Sequence, residues 1–310
     1  MKTQVAVFSF PAITTRSRSY AWLSAVLCAL FFMVQVASAG TFGDYIYTDN
    51  GSSITITTYI GSGKNLVIPS SIYGKPVTTI GSNAFALDVS GSLTIPSSVT
   101  HIEKGAFSHC YGLFSVTFEN GLLSIGESAF YACYALTSVT IPDSVTSIGK
   151  TAFAYCYALK SVSISFGVVS IGEMAFCDTR SLISFTVDAN NTEYSSVDSV
   201  LFNKDRTTLI QYPAACIIES YVVPPSVEII AERAFYGCGL LKNITIPTSV
   251  TTIGAIAFGN CVEITSMTVP SSVLFIGSNA FGGCSLTSLN VDALNTNYSS
   301  IGTVLFDKNQ

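Results

Sequence analysis

The residues of this 310-residue chain that are equipped for chemistry are nine cysteines, two histidines and a scatter of Asp, Asn and Glu. Six cysteines, Cys110, Cys133, Cys156, Cys238, Cys261 and Cys284, share one register, each three residues after a phenylalanine. Eight of the nine lie beyond residue 39, and an even number of cysteines in an exported chain ordinarily signals disulfides. A residue that returns at the same point of every repeat instead forms a ladder in the interior, where a free thiol packs as a small apolar group. Neighbouring coils would set Cα atoms about 5 Å apart, inside the disulfide range, so the buried thiol ladder is the expected state and a disulfide its alternative. Cys177 and Cys216 stand outside the register and are free to pair. The chain has no Cys-x-x-Cys spacing to build a tetrahedral metal site.

His101 and His109 do not recur along the chain, and His109 adjoins Cys110. A Cys–His nucleophile needs a base held against an exposed thiolate, whereas Cys110 belongs to the interior register. Asp188, Asn190, Glu193 and Asp198, with Asp292 and Asn297 further on, offer oxygen donors of the kind calcium takes. Their spacing matches no dedicated loop, and Asn and Asp are ordinary turn residues. The reading is therefore no catalytic residue, no metal and no cofactor.

These positions are set by a repeat. Ile148-Gly149-x-x-Ala152-Phe153 returns with starts at Ile80, Ile102, Ile125, Ile171, Ile230, Ile253 and Ile276, at steps of 22, 23, 23, 23, 59, 23 and 23 residues from Ile80 onward. A fixed period in this range predicts a solenoid, in which each unit buries its apolar face only by stacking on its neighbours. Within a unit, Leu136, Val139 and Ile141 alternate with Ser138 and Thr140, which predicts a strand with its apolar face inward and Pro142 at its end. Gly149 suits a turn, and the segment Ala152–Cys156 reads as one short helical or 3₁₀ turn that delivers Phe153 to the core. The equivalent Phe85, Phe107, Phe130, Phe176, Phe235, Phe258 and Phe281 are expected to stack as a spine.

The predicted organisation is a signal peptide over 1–39, an N-terminal cap hairpin over 40–65, repeats over 66–187, an inserted hairpin module over 188–221, repeats over 222–290 and an incomplete second copy of the module over 291–310. The cap is expected from alternating Tyr45–Tyr47 and Ile54–Thr57 around Asn50-Gly51. The module reads as two apolar runs, Val200–Phe202 and Leu209–Tyr212, around a polar turn. Its second copy stops before the second strand, which reads as truncation; if native, the open end would favour self-association.

The N-terminus has Lys2, Arg16 and Arg18 ahead of the apolar run Ala21–Val36 and an Ala37-Ser38-Ala39 exit. This is the pattern of a secretory signal cleaved after Ala39, and no later segment is long and apolar enough to span a bilayer. Its removal takes three of the 14 basic residues and none of the 19 acidic ones, leaving a net charge of −8. An acidic surface without basic clusters argues against nucleic acid and anionic membranes as partners.

The phrase IPxSVTxIGxxAFxxCxxLxSVT, repeated over Ile80–Leu289, resembles the BspA-like leucine-rich repeat family of surface-antigen-type proteins, and VLFNKDRTTLIQYP over 200–213 resembles a recurrent element of the same family. The resemblance implies a leucine-rich repeat horseshoe, mainly β, secreted or displayed at the cell surface, acting in adhesion or recognition of an extracellular protein or other macromolecule, without catalysis. Two landmarks depart from the pattern, at Glu103-Lys104-Gly105 and at Ala231, which stands where the others have glycine.

The expected binding face is the outer side of the strands, a hydroxyl stripe of Ser115 and Thr117, Ser138 and Thr140, Ser161 and Ser163, Ser184 and Thr186, Asn243 and Thr245, Ser266 and Thr268. The stripe contains no aromatic or Arg anchor of the kind that dominates selective interfaces. Two alternatives from other classes are an extracellular β-solenoid enzyme acting on polysaccharide, which would need unique acidic or basic residues breaking the pattern, and an ice or mineral binder using the Ser/Thr ladder.

Overall fold

The computed structural model describes residues 38–308, Asp88 excepted, so nearly all of the segment 1–39 expected to be a signal peptide lies outside the described residues. Strand β1 (Ser38–Phe42) pairs antiparallel with β2 (Tyr45–Asp49), and β2 with β3 (Ile54–Tyr59), around Gly51 at φ 90°. Ser38 and Ala39 pair with Asp49 and Thr48. Cleavage after Ala39 would remove those two pairs and leave Gly40–Phe42 opposite Tyr45–Tyr47.

Beyond the cap each repeat forms one coil with three hydrogen-bonded sides. The first is a parallel sheet of the strand phrases, with Ser138–Thr140, Ser161–Ile164 and Ser184–Val187 in register at intervals of one repeat. The second is a ladder of two-residue strands, His101–Ile102, Ser124–Ile125, Ser147–Ile148 and Ser170–Ile171, which joins the cap through Lys75–Ile80 and β3. The third is built from the Ala-Phe segments. There the Phe130 N–H donates to the Ala152 carbonyl (2.8 Å) and the Phe153 N–H to Ala175 (2.7 Å), so within each run of repeats coil is tied to coil by backbone.

That third side differs from the expected helical turn. No helix occurs among the described residues, because an N–H that reaches the neighbouring coil is not available to its own i−4 carbonyl. The chain turns at a residue of positive φ three positions after each landmark Ile: Asn83, Gly105, Ser128, Thr151, Met174, Arg233, Ile256 and Asn279, all between 50° and 64°. Gly105 is the one glycine among them, so the second landmark departs from the pattern yet suits its turn.

The landmark glycines serve close approach rather than the turn. A Cβ on Gly149 would lie 2.5 Å from the Glu127 nitrogen, and one on Gly172 2.3 Å from the Lys150 nitrogen. Coils therefore sit backbone against backbone at this point, and only a residue without a side chain fits.

Inside, the rings stack coil upon coil. Centroids of Phe85, Phe107, Phe130, Phe153 and Phe176 follow one another at 4.9, 5.2, 5.2 and 5.6 Å, all within 23° of parallel. A second stack runs Tyr212–Phe235–Phe258–Phe281 at 5.1, 5.0 and 5.8 Å. Among the described residues no ring pair joins Phe176 to Tyr212, and the core divides there into two apolar clusters.

The module at the division closes one run of coils and starts the next. Tyr194–Val197, Val200–Asn203 and Thr208–Gln211 form an antiparallel meander whose last strand pairs parallel with Ile229–Ile230. The Tyr194 hydroxyl accepts the Ile171 N–H (2.8 Å), ending the first ladder, and Tyr298 does the same for Ile276 (3.0 Å) in the second copy. Asn191 is fully buried: its Nδ2 donates to the Ser165 and Val168 carbonyls, and its Oδ1 accepts from the Glu193 and Tyr194 N–H groups. Asn295 repeats the arrangement on Pro270 and Val273.

Two substitutions test this account by urea denaturation. Phe130→Ala should cost about 3–5 kcal/mol, the range for emptying a buried phenyl site. Asn191→Ala strands four backbone groups and should cost about 3 kcal/mol or more at roughly 1 kcal/mol or above for each, whereas Ala at the exposed Asn190 should stay within about 0.5 kcal/mol of the parent.

Candidate recognition surface

The structure sets the hydroxyl stripe on the parallel strands. Ser138 aligns with Ser161 and Ser184, Thr140 with Ser163 and Thr186, Ser115 with Ser92, Thr117 with Thr94, Ser266 with Ser288 and Thr268 with Asn290, while Asn243 and Thr245 align with Ser220 and Val222. All twelve stripe positions are exposed or half-buried. Strand alternation produces this arrangement, since the residue between each pair is turned to the core.

Beside the stripe the structure assembles a feature that the sequence reading missed. Tyr111, Tyr134 and Tyr157 each follow a spine phenylalanine by four residues, and Arg180 takes that place in the next coil. The three rings stack with centroids 4.8 and 4.8 Å apart, at 27° and 17° between planes. The Arg180 guanidinium lies 4.5 Å over the far face of the row, on Tyr157. Its Nε and Nη2 donate to Asp178 Oδ1 (2.8 Å) and Oδ2 (3.2 Å), a fork that fixes the cation in place.

A second row runs alongside. His109, Tyr131 and Tyr155 follow at 5.3 and 5.1 Å, and His109 meets Tyr111 edge-on at 5.8 Å. Arg233, from beyond the inserted module, donates through Nη1 to Sγ of Cys177 (3.6 Å), the residue whose carbonyl accepts the Tyr155 N–H (2.8 Å), and lies 5.4 Å from the Tyr236 ring, whose hydroxyl accepts from Asn260 Nδ2 (2.9 Å). The rows thus continue from one run of coils into the other. In sequence the signal was an aromatic at the fourth residue after Phe in three consecutive repeats, with Arg in the fourth.

Because the ring faces stack on one another, ring edges and hydroxyls are what the solvent meets, with Tyr111 at 47% exposure and Tyr134 at 40%. Ring edges carry the positive part of the aromatic quadrupole. Burial first, and neighbouring phenols after it, push Tyr131 upward; burial first and then Asp178 push Tyr157 upward. Phenols so placed remain hydroxyl donors at neutral pH. With two arginines among them, the rows form a donor-rich surface suited to acceptor groups on a partner.

The other chemistry-bearing residues are placed in the framework. None of the eight described cysteines is in a disulfide. Cys133, Cys156 and Cys261 donate to the carbonyls of Phe107, Phe130 and Phe235 in the coil before (3.3, 3.3 and 3.1 Å), and Cys110 and Cys284 to Phe85 and Phe258. Cys177 and Cys216 are not joined: Cys177 Sγ receives the Arg233 Nη1 donor at 3.6 Å, and Cys216 lies against Tyr212. His101 Nδ1 is bonded to Thr100 Oγ1 and His109 Nδ1 to Ser108 Oγ. Asp188 and Asp292 close turns on the N–H groups of Asn190 and Leu294, and Asn297 donates to the Leu274 carbonyl. No group of three His, Cys, Asp or Glu converges on a point among the described residues.

The family model described as BspA type leucine rich repeat region matches residues 78–206 and 213–310, in six copies. The chain belongs to this family. No curated protein matches the sequence. The BspA-type coil is shared with solved bacterial proteins. The pneumococcal vaccine antigen PcpA is 25% identical, with a TM-score of 0.63 over 84% of this chain and 83% of that one. A leucine-rich cell surface protein from Faecalibacterium prausnitzii is 26% identical, with a TM-score of 0.51 over 82% and 88%. A leucine-rich repeat protein from Eubacterium ventriosum, 24% identical with a TM-score of 0.60 over 83% and 73%, shares the fold. Family and fold together make this chain a leucine-rich repeat scaffold.

The buried thiols and phenols of the BspA-type core make stability depend on alkaline pH. Burial holds Cys133 well above the ordinary thiol value; hydrogen bonding to Cys238 raises Cys261 first, and hydrogen bonding to Cys261 raises Cys284. Tyr45 is pushed up to about 12, mainly by burial, and burial raises Tyr212 and Tyr221 as well. Folded-state values above the unfolded ones mean stability that is complete below the unfolded pKa and lost as pH rises through the folded one. The urea midpoint should therefore be flat from pH 6 to 8, fall above about 8.5 as unfolded thiols ionise, and fall again above about 10 with the phenols. A midpoint that stays constant to pH 11 would contradict the buried, protonated state of both sets.

Proposed function

We propose that this chain is an exported leucine-rich repeat scaffold, displayed at the cell surface or released, that recognises an extracellular protein or other macromolecule and catalyses no reaction. The observation that carries this reading is the tyrosine row capped by Arg180. It lies next to the Ser/Thr strands in the same coils, Tyr134 preceding Ser138 by four residues. The stripe supplies a broad, low-charge docking area, and the rows supply Tyr and Arg anchors, the residue types that dominate binding energy at selective interfaces. Family membership and the likeness to bacterial surface proteins support the location. The acidic net charge turns the face away from nucleic acid and toward protein or glycan.

The test is a binding screen with labelled protein starting at Gly40, against immobilised extracellular-matrix proteins and glycans. Tyr134→Ser combined with Tyr157→Ser should weaken binding to the partner found by tenfold or more, about 1.4 kcal/mol, with little change in the melting temperature. Thr140→Lys with Thr186→Lys should weaken it as well if the stripe and the rows act as one face. Equal binding by both double variants would remove the proposed surface. N-terminal sequencing of protein recovered from the medium or cell envelope should begin at Gly40; a start at Met1 would remove export.

A further inference from the structure

The division between the two runs of coils leaves a cavity of about 210 Å³. Its apolar wall comes from Ile171, Phe176, Tyr194, Ile210 and Ala231, and Arg233 lies at its edge. Elsewhere a landmark glycine brings coils into backbone contact; here Ala231 carries a methyl group where a Cβ on Gly254 would lie 2.5 Å from the Glu232 nitrogen and one on Gly277 2.3 Å from the Ala255 nitrogen. The module's last strand, Thr208–Gln211, and not the coil of Ile171, lies against Ile229–Ile230, and among the described residues the ring stack is broken between Phe176 and Tyr212.

The same gap interrupts the backbone ladder. In the preceding coil the Thr151 N–H donates to the Glu173 carbonyl (3.0 Å) and the Phe153 N–H to the Ala175 carbonyl (2.7 Å). The equivalent donors one coil on are the N–H groups of Met174 and Phe176, both in the cavity wall, and among the described residues neither has an acceptor. Arg233 Nε is buried without a hydrogen-bond partner, with Glu232 Oε1 at 3.7 Å, beyond hydrogen-bond reach. Three unmatched donors thus border one apolar space. Two carboxylates also line the cavity: Glu173 is paired with Lys150 (2.7 Å), and Glu232 Oε1 faces Arg233 Nε at 3.7 Å as an ion pair without a hydrogen bond.

We infer that this cavity is a binding site for a small apolar carboxylate, a single aromatic ring joined to a carboxyl group. Unmatched buried donors carry a desolvation cost that an acceptor removes, and an anion meets the guanidinium as well. An apolar cavity of about 150 Å³ is enough for a benzene ring, so the volume suits one ring with a short carboxylate arm. Two sources share this chemistry: a free aromatic acid, and the carboxyl-terminal phenylalanine of a peptide. The site shares Arg233 with the aromatic rows, but none of Tyr134, Tyr157, Thr140 and Thr186, on which the recognition test rests, lines it, so the two proposals fail separately.

The probe is 3-phenylpropanoate added to the whole chain from Gly40, followed by NMR of methionine methyl groups and by calorimetry. Met174 lines the cavity, and Met267, buried on a strand of the second run, is the internal control. The Met174 methyl should shift with the probe while Met267 stays still. Toluene and acetate, each lacking one half of the ligand, should bind at least tenfold more weakly. Arg233→Gln should lose tenfold or more for 3-phenylpropanoate and little for toluene, and Ala231→Leu should lose both by filling the space. A tripeptide ending in Phe with a free carboxyl group that binds more tightly than 3-phenylpropanoate, and not when amidated, identifies a peptide terminus as the source; failure of the tripeptide beside binding of the free acid identifies the small acid. No Met174 shift with 3-phenylpropanoate, or equal binding of toluene, overturns the inference, and the parent spectrum of each variant reports whether it is folded.

Discussion

The backbone hydrogen bond between one coil and the next is the constraint on which the rest of this molecule depends. It fixes the axial step near the spacing of adjacent strands, and every side chain at an equivalent position is then held about 5 Å from its counterpart. Phenyl rings at that spacing stack, thiols reach the carbonyl of the coil before, and tyrosines on the outside form rows. The landmark glycines are what allow the step to be so short. Positive φ at Thr151 and Ile256, uncommon for β-branched residues, is sustained because the same N–H groups are bonded to the neighbouring coil.

A structure built from one step repeated is exposed at its interruptions. The inserted module meets that problem with two side chains. The Tyr194 hydroxyl completes the last short strand, and Asn191 satisfies carbonyls that the next coil would have covered. Its second copy does the same through Tyr298 and Asn295. The module is therefore a closure, and the price of a closure in mid-chain is the imperfect seam on its far side, where the ring stack breaks and the donors of Met174 and Phe176 face a cavity. Regular coils offer a partner only their surface; the seam offers an interior.

The outer surface divides by chemistry along the direction of each coil. The strands present hydroxyls of nearly one kind, while the turns carry residues that change from repeat to repeat and include His109, the tyrosines, Arg180 and Arg233. Packing restricts the strand side to small residues that suit an exposed sheet. The turn side is free to vary, so the distinguishing groups collect there, with stacking rather than tertiary burial to hold them.

Much of this was legible in the order of residues. The period, the spine phenylalanines, the thiol register and the alternation of the strands follow from repetition alone, since a position filled alike in every unit must meet its own copies across the coil step. The cap hairpin followed from Asn50-Gly51 between alternating runs. The turn was misread as helical because Ala-Phe-x-x-Cys has local helical spacing, whereas its N–H groups are taken by the adjacent coil, a partner 22 or 23 residues away. Asn191 is indistinguishable by residue type from the exposed Asn190 beside it, and only the burial created by the module separates them. The reach of Arg233 back to Cys177 and the seam beside Ile171 depend on which segments become neighbours across a 59-residue step. Sequence determined what each coil is; the tertiary structure decided where two coils fail to meet, because that distance is set by packing between segments and not by any residue within them.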